Sequence, residues 1–152
     1  MAREISKEEA RQVLLKAEED GLVHCSSNHM SDKMFICNCC GCHCKALAFI
    51  TKHDQPGLIA HSNYYALVDA DSCEGCETCI ERCQVTAIEM KDEVACITND
   101  RCIGCGLCVS TCPTESISMV HKQPEALSHI FADDHALTQA RAKDTGKVYP
   151  FE

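Results

Sequence analysis

The chain has 152 residues, enough for one compact domain or two small ones, and an aromatic content of 5% with no Trp excludes a large aromatic core. A net charge of −9 with His neutral argues against nucleic acid as a partner, because binding a phosphate backbone needs clustered Lys and Arg. The 15 cysteines, about a tenth of the chain, imply either a disulfide scaffold or metal sites, and an odd number cannot close entirely as disulfides.

The N-terminal stretch MAREISKEEARQVLLKAEEDG carries no apolar h-region and no small-residue cleavage site, so it does not read as a signal peptide. No apolar run reaches the length of a membrane span. A cytoplasmic location is therefore expected, and reduced thiols with it. Residues 6 to 20 read as an amphipathic helix. Ser6 is placed to act as N-cap, and Glu9, three residues on, completes a capping box. Ala10, Val13, Leu14 and Ala17 recur at helical spacing, and Gly21 suits the position after the C-cap.

Residues 22 to 66 are dominated by ICNCCGCHCKALAFI, followed by a turn at Gln55-Pro56-Gly57. Cys37, Cys39, Cys40, Cys42 and Cys44 crowd into a few residues, with His43 among them and His24 and Cys25 upstream. Cys37–Cys40 and Cys39–Cys42 each have C-x-x-C spacing, and Cys42–Cys44 has C-x-C. Four of these thiols can hold a 4Fe–4S cluster, or three or four of them a tetrahedral zinc. Adjacent Cys39 and Cys40 point to different sides in most backbones. The expected ligands are therefore Cys37, Cys40, Cys42 and Cys44, with Cys39 as a substitute.

Residues 67 to 120 are an internal repeat. DADSCEGCETCIERCQVTAIEM aligns with TNDRCIGCGLCVSTCPTESISM, so that Cys73, Cys76, Cys79 and Cys83 fall on Cys102, Cys105, Cys108 and Cys112 at a constant offset of 29. Each copy reads as a cluster-binding loop, a short helix and a strand ending near Met90 or Met119. C-x-x-C-x-x-C curls the backbone around three corners of an iron–sulfur cubane. The fourth cysteine, on the helix that follows, reaches the other cluster. Cys73, Cys76, Cys79 and Cys112 are thus expected on one 4Fe–4S cluster, and Cys102, Cys105, Cys108 and Cys83 on the second. Zinc knuckles also use C-x-x-C pairs, but two full copies in register favour iron. Cys96, in the apolar run VACI, reads as a packed core thiol.

This segment resembles the bacterial-type two-cluster ferredoxins. The second copy matches their pattern in full, with Pro113 after the fourth cysteine, while the first has Gln84 where the family usually has Pro. The resemblance implies an α+β fold, a ferredoxin-like βαβ module with pseudo-twofold symmetry. In this chain it would carry an N-terminal helix, a Cys-rich segment and a C-terminal extension. The expected division is 1–66, 67–120 and 121–152. The wider pattern GLVHCSSN, FICNCCGCHC and NYYALVD ahead of two cluster motifs resembles polyferredoxin-like electron-transfer subunits of anaerobic oxidoreductase complexes, such as the tungsten-containing benzoyl-coenzyme A reductase type.

Residues 121 to 152 are polar, with one helix expected from Pro124 to Ala142 and then a tail, KDTGKVYPFE, that reads as a docking arm or a loose end. No G-x-G-x-x-G, Walker motif or nucleophile elbow is present, so the chain reads as an electron carrier rather than an enzyme. The leading expectation is the electron-relay subunit of a multi-subunit anaerobic oxidoreductase, a hetero-oligomer with a larger catalytic subunit. A free-standing low-potential ferredoxin is the alternative, and an iron–sulfur redox sensor is the third reading.

Overall fold

The computed structural model describes residues 3–31 and 33–146. The first helix, α1, spans Lys7–Glu19. Ser6 Oγ accepts from the Glu9 amide at 3.1 Å while Glu9 Oε2 accepts from the Ser6 amide at 2.9 Å, so the capping box forms in both directions. At the far end Gly21 sits at φ 77°, and the amides of Gly21 and Leu22 donate to the Glu18 and Ala17 carbonyls at 2.8 and 2.9 Å. The apolar stripe of α1 is only partly covered: Ala17 is buried, but Val13 is 53% exposed.

Strands β1 (Val23–Cys25) and β2 (Cys37–Cys39) pair antiparallel, with Cys25 opposite Cys37 and Val23 opposite Cys39. Helix α2 (Lys45–Thr51) follows and buries Leu47 and Ile50 completely. After a 3-10 turn at Pro56–Leu58 come β3 (Tyr64–Val68), α3 (Thr78–Arg82), β4 (Ile88–Lys91), β5 (Val94–Ile97), α4 (Leu107–Ser110) and β6 (Ile117–His121). β3 pairs antiparallel with β6, and β4 with β5. Asp92 and Glu93, both at positive φ, make the two-residue turn of the β4–β5 hairpin, as the twist of a tight hairpin requires. Because β3 starts at Tyr64, sheet pairing draws residues ahead of position 67 into the repeat.

One core runs through the N-terminal segment and the repeat alike. Val23, Leu47 and Ile50 join Ala66, Val85, Ile88, Ile103, Leu107 and Ile117 in a single cluster. Two arginines stitch the same halves together. Arg82, at the end of α3, donates to the Glu18 and Glu19 carbonyls of α1. Arg101 reaches the Ile50 carbonyl at 3.2 Å, the Val85 carbonyl at 3.4 Å and Thr86 Oγ1 at 3.0 Å. Cys96 is only half-buried, next to buried Ala95 in β5.

The C-terminal helix differs from the expectation. Pro124–Ala126 is a single 3-10 turn, and α5 begins only at Asp134 and runs to Thr145. The residues between are held by other partners. Ser128 donates its amide to Asn63 Oδ1 at 2.8 Å, and the Phe131 carbonyl accepts from the Met30 amide at 2.8 Å. Asp133, whose side chain accepts from the Ala136 amide at 2.8 Å, is the true N-cap. The end of the expected docking tail, 147–152, lies outside the described residues. Among the described residues no helix is long and apolar enough to cross a membrane.

Candidate metal centres

The left-handed turn that starts each short helix bends the cysteine loops inward. Glu77 (φ 61°) caps α3 and Gly106 (φ 83°) caps α4, at matching positions of the two copies. Each loop therefore wraps a cavity rather than continuing as helix. The first cavity is lined by Cys73, Cys76, Cys79 and Cys112, and the second by Cys102, Cys105, Cys108 and Cys83. Counting their mouths, they enclose about 330 and 360 Å³ of empty space respectively. In each, three cysteines come from one copy and the fourth from the other.

The surroundings of the two cavities differ. The Cys83 cavity is lined otherwise by apolar residues and glycines, among them Val85, Ala87 and Ile103. The Cys112 cavity carries Thr114 and Ser116. Burial raises the Cys112 thiol, but hydrogen bonds from Thr114 and Ser116, side chain and backbone, outweigh it and hold it at about 7. Burial pushes Cys108 up to about 12, and the charges of Cys105, Cys102 and Cys83 add to that. Cys79 and Cys105 are raised for the same first reason. Ligation requires thiolates, so positive charge inside these cavities is what would reverse the upward shifts of Cys79, Cys105 and Cys108.

Sulfurs around one tetrahedral zinc stand about 3.8 Å apart, given a Zn–S bond of about 2.3 Å. Among the described residues only Cys40, Cys42 and His43 bring three ligand atoms within 4.8 Å of one another. No three of the cavity sulfurs lie that close together.

Residues 66–119 match the family model of the 4Fe-4S dicluster domain. This segment is a ferredoxin-type 4Fe-4S domain. The match supports an iron–sulfur electron-transfer role. No curated protein matches the chain.

The cysteines outside the ferredoxin-type domain are not arranged as their spacing suggests. Cys37, Cys40, Cys42 and Cys44 do not converge. Cys40 and Cys42 are joined as a disulfide, with His43 Nδ1 3.1 Å from Cys42 Sγ and 3.8 Å from Cys40 Sγ. Cys37 and Cys44 lie instead with Cys39 and Cys25. Burial pushes the Cys39 thiol up to about 12, helped by a hydrogen bond with Cys44 and by the charges of Cys44, Cys25 and Cys37. Burial likewise raises Cys25, with Cys44 the next cause. No short spacing links Cys25 to the others; only the strand register does.

The ferredoxin-type domain is braced by close backbone contacts. Gly104 (φ 68°) lies so near the Tyr64 carbonyl that a Cβ there would fall 2.1 Å from the oxygen. Tyr64 itself stacks edge-on against His121 with ring centroids 4.9 Å apart, so it does not face a cluster cavity.

Proposed function

We propose that the domain holds two 4Fe–4S clusters, one on Cys73, Cys76, Cys79 and Cys112 and the other on Cys102, Cys105, Cys108 and Cys83, in halves related by a pseudo-twofold axis. We further infer that the chain is the electron-relay subunit of a larger anaerobic oxidoreductase, working in the cytoplasm beside a catalytic partner. The observation that carries the cluster reading is the grouping of eight cysteines into two cavities, each completed by the fourth cysteine of the opposite copy. The symmetry reading draws on the repeat itself: β4 and β6 start at Ile88 and Ile117, and both helices start from left-handed caps at equivalent positions.

Bound clusters would supply one-electron redox chemistry at low cost in rearrangement. The chain's own part is to fix them rigidly, keep bulk water out and aim donors at the ligand sulfurs. Val85, Ala87, Ile88 and Leu107 shield the Cys83 cavity, while Thr114 and Ser116 supply donors to Cys112.

Uncovered apolar surface outside the domain supports the subunit reading over a free ferredoxin. Met34, Phe35 and Ile36, just before β2, are 85%, 51% and 55% exposed, and Val13 on α1 is exposed too. A run of large apolar side chains on an acidic protein suits a standing protein interface. Anaerobic size exclusion of native extract tests the assignment. Comigration with a larger redox enzyme is expected, and elution as a small free protein would favour the diffusible ferredoxin.

A further inference from the structure

Cys25, Cys37, Cys39 and Cys44 form a second kind of site, outside the matched domain. In an antiparallel pair, directly opposed residues project to the same face, and residues two apart on one strand do as well. Cys25 is opposite Cys37, and Cys39 is two residues beyond Cys37. These three thiols therefore share one face of the β1–β2 ribbon. The other face is identified independently by His24 and Asn38, an opposed pair whose side chains hydrogen-bond at 2.8 Å.

Cys44, at the start of α2, supplies the fourth sulfur. The Cys44 amide donates to the Cys40 carbonyl at 3.2 Å, which turns the chain back after β2. Cys25, Cys39 and Cys44 all pack against the common core. Electrostatic coupling links Cys44 to both Cys25 and Cys39. No three of these four sulfurs lie within 4.8 Å of one another, because the one group that does is Cys40, Cys42 and His43. Cys39 hydrogen-bonds with both Cys25 and Cys44, so the four thiols converge on Cys39 without closing into one tight trio.

We propose that Cys25, Cys37, Cys39 and Cys44 bind a third 4Fe–4S cluster, with Cys40 and Cys42 excluded from the ligand set. Its place follows from two contacts. Gly41, between Cys39 and Cys44, packs on Gln84, the residue after Cys83. Cys25 and Cys105 line one continuous groove with Ile59 and Ile103. The third site therefore adjoins the Cys83 cavity and gives the order third site, Cys83 site, Cys112 site. The ligand set stands apart from the two-cluster reading, since its iron is measured as a difference.

The test is metal analysis and EPR of the anaerobically purified full chain and its variants. Wild type should carry about twelve irons, at four per cluster. Cys25→Ser and Cys39→Ser should each fall to about eight, with the signals of the domain clusters retained. A Cys40→Ser, Cys42→Ser double variant should keep about twelve. About eight irons with one zinc in wild type would overturn the cluster, and loss of iron from the Cys40, Cys42 variant but not from Cys25→Ser would overturn the ligand set. Should a variant fail to fold, iron anomalous scattering from wild-type crystals decides. Iron density among the four named sulfurs supports the site, and its absence there refutes it.

Discussion

The Gly41 amide donates to Gln84 Oε1 at 2.7 Å, and the two backbones are so close that a Cβ on Gly41 would fall 2.4 Å from the Gln84 carbonyl oxygen. Gln84 is the position at which the first repeat departs from the ferredoxin pattern. A proline there has no side-chain acceptor. The departure thus has a structural purpose: it clamps the cysteine-rich loop onto the domain. Replacing Gln84 with Ala leaves a half-buried amide without its partner and should cost about 1–3 kcal/mol. Thermal unfolding of the loaded protein checks this, with Gln84→Glu retaining most of the stability because an acceptor remains. An unchanged midpoint in Gln84→Ala would show that the clamp contributes nothing.

The two cavities should differ in potential. Thr114 Oγ1 is 3.5 Å from Cys112 Sγ, whereas the equivalent residue near Cys83 is Val85. Donors to a ligand sulfur stabilise the more negative reduced state. Thr114→Val removes about 1 kcal/mol of donation, on the order of 40 mV for a one-electron couple, and should lower the potential of that site only. Redox titration followed by EPR reads the shift. Movement of the other site, or of neither, would count against the assignment of Cys112.

Backbone geometry separates two glycines of the second repeat. Gly104 has φ 68° and the Tyr64 carbonyl in the place of any Cβ, so Gly104→Ala should cost about 3 kcal/mol or more. Gly106 has φ 83° but open space, and its counterpart Glu77 already bears a side chain at φ 61°. Gly106→Ala should therefore cost only about 1 kcal/mol. Denaturant unfolding of the two variants should rank them in that order, and equal losses would contradict the packing argument.

Cys83→Ala discriminates crossed from local ligation. It should damage the site of Cys102, Cys105 and Cys108 while leaving the EPR signal of the Cys73 site intact. Loss at the Cys73 site instead would mean that each copy binds its own cluster.

Local chemistry was legible in the sequence. The Ser6–Glu9 capping box and Gly21 after α1 both depend on residues a few positions apart, where spacing dictates geometry. Long-range pairing was not legible. Cys25 joins Cys37 through an antiparallel register across residues 26–36, which no spacing rule encodes. Cys40 and Cys42 satisfied the C-x-x-C and C-x-C patterns, yet they are joined to each other as a disulfide. The helix expected from Pro124 gave way because residues 128–132 serve Asn63 and the 28–31 segment, and Asp133 offered a better cap.

Iron and zinc content measured together with EPR on oxygen-free native protein bears most directly on the central claim. At least about eight irons per chain, with reduced-state signals broadened by interaction between neighbouring clusters, is the expected result. Zinc in place of iron at the repeat cysteines, in a colourless protein, would contradict it.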